Sequence, residues 1–183
     1  MANLTKYKAK ICHTASGYLI HEGKILLVKH KLLGVWLPPG GHIDLDKNEL
    51  PHQAAEREFW EETAVKVEAI NHGFFPEVRT SQFIPTPICV NLHWINQDNY
   101  EHRVNNKKIK KKKISGRVCE QHLNSGYLVK ATGGINYRQN IEETDGIAWF
   151  SPDELGDLET VAQIREEIIY AFKVWKNQDK MKV

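Results

Sequence analysis

The sequence holds only three cysteines, Cys12, Cys89 and Cys119, scattered along the chain and without CxxC spacing. That pattern argues against a disulfide framework or a structural zinc site. It makes each cysteine a small buried hydrophobe and a reducing cytoplasm the simplest setting. Long apolar runs are missing too. None approaches the ~18 residues that cross a bilayer, so no membrane partner is expected. The opening MANLTKYKAK has charges but no apolar stretch behind them and does not read as a secretory signal. Internal repeats are absent. Net charge is also small, +2 from 25 Lys+Arg and 23 Asp+Glu, which excludes a uniformly basic nucleic-acid coat. The balance hides an uneven chain, however. Six lysines stand in KKIKKKK, residues 107–113, and the remainder has 19 basic against 23 acidic residues, a net −4.

What is present suits one domain over residues 1–183. With 41% hydrophobic and 26% charged residues the chain is long enough to bury a core and short for two. Residues 12–20 and 24–29, separated by His21-Glu22-Gly23, read as a hairpin. In GVWLPPGGHI, residues 34–43, Pro38-Pro39 and Gly40-Gly41 predict a tight loop without regular structure. A helix is expected from Pro51 to about Ala64, with Pro in its first turn where a missing N–H costs nothing. Further strands are expected at 65–72, 88–96, 123–130 and 147–150, and a long polar loop or hairpin arm at 97–118. Ser151 to Glu154 opens a helical turn. Residues 158–176 form an amphipathic helix whose Val161, Ile164, Ile168, Ala171, Phe172 and Trp175 mark a core face. Strands mixed with two helices indicate an α+β chain, in an α/β/α sandwich.

The chemistry concentrates between Gly40 and Val65. Glu58, Glu61 and Glu62 stand at i, i+3 and i+4 of the expected helix, which puts three carboxylates on one face. Such crowding of like charge is strained unless a cation sits among them, and hard oxygen ligands suit Mg²⁺ or Mn²⁺ bridging to phosphate oxygens. Arg57, four residues before Glu61, can pair with that side chain. Gly40-Gly41 lets backbone groups approach an ion or a phosphate closely. Taken alone, EREFWEE also fits a solvated charged face, and the wider pattern decides between the two.

Gly41, Glu49, Arg57-Glu58, Glu61-Glu62 and Val65, entered through Trp36 to His42, resemble the Nudix box. That motif is a glycine, a glutamate, then Arg-Glu-U-x-Glu-Glu-x-Gly-U, where U is a bulky apolar residue. Seven residues separate Glu49 from Arg57, as in the family, and Phe59 and Val65 fill the apolar positions. Two departures stand out. Seven residues rather than five separate Gly41 from Glu49, which leaves open where Glu49 points, and Ala64 takes the place of the usual glycine. The resemblance implies a Nudix-like α/β/α sandwich with a mixed sheet. It also implies a hydrolase that uses Mg²⁺ or Mn²⁺ to cleave a nucleoside diphosphate linked to another group. Carried onto matching positions, Glu58 and Glu62 are metal ligands, and Glu61 is a further ligand or water-positioning group. A carbonyl of Gly40 or Gly41 adds a ligand, and Arg57 belongs to the catalytic set. For the general base, relatives often use a glutamate before the strand near the C-terminus, and of Glu142, Glu143 and Asp145 we take Glu143. A polar turn is the alternative reading of that segment.

Substrate signals are sparser. Trp36, Phe83, His93, Trp94 and Tyr127 are candidates to stack on a base or sugar, against the alternative that they are core. Relatives acting on ADP-ribose or dinucleoside polyphosphates often carry a proline or tyrosine in the window Thr80 to Phe83, and this chain has neither. The expected partner is therefore a small nucleotide of unspecified kind, and a homodimer is compatible with the sequence. The lysine run offers a second reading, the docking of RNA phosphates by a 5′-end or cap hydrolase. It lacks the interleaved aromatics that stack bases, so it ranks behind. An inactive nucleotide-binding module ranks third, since no helix glutamate is missing.

Overall fold

The computed structural model describes residues 8–71, 79–105 and 119–178. Its strands are β1 (Ile11–His21), β2 (Lys24–His30), β3 (Trp36–Leu37), β4 (Gly40–His42), β5 (Val67–Ala69), β6 (Cys89–Trp94), β7 (Gln121–Ala131) and β8 (Thr144–Phe150). Its helices are α1 (Pro51–Thr63), α2 (Gln97–Val104) and α3 (Ala162–Lys176). The expected hairpin is formed by β1 and β2. Glu22 and Gly23 turn it with φ of 48° and 74°, the positive pair that a type I′ turn needs to match strand twist.

β1 is the spine of a mixed sheet. Ile11 to Leu19 run parallel to Gln121 to Val129 of β7, while Thr14, Ala15 and Ser16 pair antiparallel with His42, Gly41 and Gly40. β5 and β6 flank β7, and β3 and β8 flank β2, all antiparallel. α1 covers one face, where Ala54, Ala55 and Phe59 pack with Ala15, Leu19, Tyr127 and Val129. α3 covers the other, where Ile168, Ala171 and Phe172 pack with Tyr18, Ile25, Leu27 and Leu128. Burying one such side chain contributes about 1.5–3 kcal/mol. The α/β/α sandwich with a mixed sheet is thus the observed fold.

Three expectations are corrected. Residues 34–43 are not free of regular structure. Pro38-Pro39 only separates two short strands, and Gly40 fits into β4 because a Cβ there would lie 2.5 Å from the Ala15 carbonyl oxygen. The polar segment 97–118 begins with a helix, α2. The Asn96 side chain accepts from the Asn99 amide to cap it, and Arg103 at its far end grips buried Glu120 at 2.6 and 2.7 Å. The lysine run, 107–113, lies outside the described residues. Finally, Cys12 and Cys119 are not separate buried hydrophobes but a disulfide. The parallel pairing of β1 with β7 sets Cys12 across from His122, and this long-range contact has no signature in cysteine spacing. Among the described residues no helix is long and apolar enough to cross a membrane.

Candidate catalytic centre

α1 begins at Pro51, with the Gln53 side chain reaching back to the Leu50 amide at 3.0 Å. It ends where Ala64 takes the left-handed conformation, φ 58°, its amide donating to the Trp60 carbonyl at 2.7 Å. The residue replacing the usual glycine therefore does carry positive φ, and about 1–2 kcal/mol of strain with it. Along the helix the three carboxylates differ in depth. Glu61 is 40% exposed and Glu58 14%, while Glu62, at 6%, falls in line with the core positions Ala55, Phe59 and Thr63.

Arg57 organises the exposed side of the cluster. Its Nε and Nη2 donate to both Glu49 oxygens at 2.7 and 3.0 Å, and Nη1 to Glu58 at 2.8 Å and Glu61 at 3.1 Å. Nη2 also reaches the His42 carbonyl at 2.9 Å, joining helix to β4. Glu49 thereby has a definite direction. The longer loop winds into a short 3-10 turn at Leu45–Lys47, Asn48 turns with φ 56°, and Glu49 accepts from the Asp44 amide at 2.8 Å. Hydrogen bonds from Arg57 hold the Glu49 carboxyl below its ordinary range despite partial burial. Glu49 is a clamp for Arg57.

β4 faces the buried side. The Gly40 amide donates to Glu62 at 3.2 Å. A Cβ on Gly41 would come within 2.5 Å of both Glu58 carboxylate oxygens, so only glycine lets that carboxylate lie against the strand. Burial first, then the Glu58 charge, push Glu62 up from 4.5 to about 8. Burial likewise raises Glu58, in spite of its bond to Arg57. Among the described residues no cationic side chain pairs with Glu62. A buried carboxylate forced towards its neutral form beside a second one is a seat that a hard cation would suit, so the donor set fits a divalent ion.

Sequence reasoning had no signal for what brings Glu143 near. The Arg138 and Asn140 amides donate to the Thr63 and Glu62 carbonyls at 2.8 and 3.2 Å, docking the 138–143 segment on the end of α1. Glu143 is exposed, and its charge is one of the smaller contributions raising Glu58 and Glu62. Of the aromatic candidates, Tyr127 is core at 2% exposure. Trp36 packs edge-on against Phe150 with centroids 4.8 Å apart. Trp94 lies against Tyr100 at 5.1 Å, the His93 ring bonds to Asn91 at 2.6 Å, and Phe83 is exposed.

An arginine-braced carboxylate helix docked on a glycine strand, in an α/β/α sandwich, is an arrangement whose oxygen donors would suit a divalent ion. The model of the NUDIX domain matches residues 13–172, and the chain belongs to the Nudix hydrolase family. A MutT-like protein of Streptomyces ambofaciens is 38% identical over 56 residues, covering 30% of this chain and 35% of that relative's length. A Nudix-family hydrolase structure from Clostridium perfringens superposes with TM-score 0.65 at 21% identity, over 89% of this chain and 97% of that one. An ADP-ribose pyrophosphatase structure from Streptococcus suis gives TM-score 0.54 at 19% identity, over 92% and 93%. These two structures speak for the fold.

Proposed function

We propose that the protein is a single-domain Mg²⁺- or Mn²⁺-dependent pyrophosphohydrolase. Its substrate would be a small nucleotide in which a nucleoside diphosphate is linked to another group, such as a nucleoside triphosphate, a nucleotide sugar or ADP-ribose. The observation that carries this reading is the pair Glu58 and Glu62 of α1, both raised in pKa and both against the Gly40-Gly41 strand, with Arg57 bracing Glu58 and Glu61. Glu58 and Glu62, with Glu61 and the Gly41 carbonyl, would hold the ion. When bound, it neutralises phosphate oxygens and makes a water molecule more acidic.

The chain's own residues do the rest. Arg57 fixes Glu58 and Glu61 through Nη1, so these carboxylates need not reorganise as charge develops on the phosphate. Water oxygen bonds to phosphorus, the bridging P–O bond breaks, and its electron pair leaves on the departing phosphate. The water proton passes to a carboxylate, for which Glu143 is our choice: it is exposed and electrostatically coupled to Glu58 and Glu62. The name of the Streptococcus suis neighbour supports including ADP-ribose among the substrates to test. The cytoplasm, where free nucleotides abound, is the setting we take. There a Cys12–Cys119 pair would be held as thiols.

The test is a panel of nucleoside triphosphates, ADP-ribose, nucleotide sugars, dinucleoside polyphosphates and capped RNA, with and without Mg²⁺ or Mn²⁺. Metal-dependent turnover of a small nucleotide is expected, and Glu62→Gln should lower kcat by about a thousandfold or more while the protein stays folded. Turnover of RNA alone would replace the proposal with the 5′-end hydrolase. Turnover of nothing would favour an inactive nucleotide-binding module.

A further inference from the structure

Strand alternation gives β4 two chemical faces. Gly41 lies across from Ala15 on the α1 side, against Glu58, whereas His42 lies across from Thr14 and so looks to the opposite side. On that side β1 carries Cys12, and its partner across β7 is His122, itself across from His93 of β6. Cys119 arrives two residues before β7. Its position is fixed by its neighbour Glu120, which takes two bonds from Arg103 and one from the Lys10 amide at 2.8 Å. Three separate stretches of chain thus bring two sulfurs and an imidazole together, with His42 Nε2 3.3 Å from Cys119 Sγ.

Among the described residues, Cys12, His42 and Cys119 form the one set of three His, Cys, Asp or Glu side chains whose ligand atoms all fall within 4.8 Å of one another. In the carboxylate helix, by contrast, Arg57 bonds to Glu58 and Glu61 while Glu62 accepts from the Gly40 amide. Two thiolates and one imidazole nitrogen are soft-to-borderline donors, the set that selects zinc over magnesium or manganese. A fourth donor group stands close by, with the His122 ring centroid 4.9 Å from that of His42. The carbonyl of His42 is already tied to Arg57, which fixes the backbone that would present the imidazole.

We propose that, once the Cys12–Cys119 bond is reduced, Cys12, Cys119 and His42 bind a zinc-class divalent ion at a site separate from the carboxylate centre. The disulfide is the alternative state of the same pair. A dithiol reductant supplies two electrons and two protons, breaking the S–S bond to give two thiols while the dithiol closes to its own disulfide. The metal then displaces both thiol protons to solvent as the two S–metal bonds form. Oxidation and metal binding therefore exclude each other. The third ligand, His42, sits on the strand that also carries Gly40 and Gly41.

Cobalt reports the site independently of hydrolysis. The full chain is reduced with dithiothreitol, freed of it under nitrogen, and titrated with Co²⁺ alone. An intense near-ultraviolet thiolate-to-cobalt band should rise to one ion per chain and be bleached by Zn²⁺. The same protein left oxidised should give no such band, which provides a control that needs no variant. Cys12→Ser should abolish the two-thiolate band and His42→Ala should weaken Co²⁺ binding by at least about tenfold. Cys89→Ser, at the half-buried free cysteine, and Glu62→Gln should both leave the band intact. A reduced wild-type chain without the band would overturn the proposal, as would a band unchanged in Cys12→Ser or lost in Cys89→Ser. Because oxygen ligands give no thiolate band, none of these outcomes depends on whether the chain hydrolyses nucleotides.

Discussion

Glu62 is an acid seated among core positions, and replacing it with glutamine isolates what that placement costs. Burial and the Glu58 charge raise its pKa from 4.5 to about 8. Below the lower value both folded and unfolded chains hold the proton, and nothing is lost. As pH rises the unfolded chain releases its proton first, so folded-state stability declines until the pH passes about 8. At 1.36 kcal/mol per unit the whole shift is on the order of 4–5 kcal/mol, of which roughly 3 kcal/mol falls between pH 5 and pH 8. Glu62→Gln has no proton to lose and keeps an oxygen to accept from the Gly40 amide. Urea unfolding of both proteins, free of divalent metal, should therefore show the variant gaining on wild type by roughly 3 kcal/mol from pH 5 to pH 8. Titrating groups common to both largely cancel in that comparison. Equal pH slopes for the two proteins, or a gap that closes as pH rises, would refute the assignment of Glu62 as a buried, proton-retaining carboxyl.

Two other substitutions probe the same helix. Gly41→Ala sets a methyl group 2.5 Å from the Glu58 carboxylate oxygens. The displaced carboxylate should lower kcat by about a hundredfold with little change in thermal unfolding, measured by steady-state kinetics and a melt side by side. Ala64→Gly relieves the left-handed strain at φ 58° against a greater loss of chain entropy on folding. The net gain should be about 0.5–1 kcal/mol, seen as a rise of roughly 1–4 °C in Tm; a fall would show that the strain is absent.

The helix and its chemistry were legible because both are local. Glu58, Glu61 and Glu62 share a helical stretch whatever the rest of the chain does, and the helical rise brings Arg57 to Glu61 four residues on. The hairpin at Glu22-Gly23 and the amphipathic α3 were readable for the same reason, each being a pattern of neighbours. β4 was not readable. Two glycines after two prolines look like a loop, and they become a strand only because β1 offers an edge that a Cβ could not approach. α2 was hidden for a similar reason, since its polar sequence gains its ends from Asn96 and from Glu120 beyond the lysine run.

Depth and long-range convergence were decided by the tertiary structure alone. Spacing put the three carboxylates on one face, but only packing against the sheet made Glu62 buried, Glu58 largely sheltered and Glu61 open, and burial raised the pKa of Glu58 and Glu62. The direction of Glu49 needed the 3-10 turn that absorbs the two extra residues. Cysteine scarcity is the clearest case. Three scattered thiols read as inert because sequence spacing measures distance along the chain, and a parallel strand pair erases that distance. Cys12 and Cys119, 107 residues apart, meet beside His42 because β1, β4 and β7 share a register. A register is a property of the sheet, fixed by hydrogen bonds between strands, and no single strand encodes it.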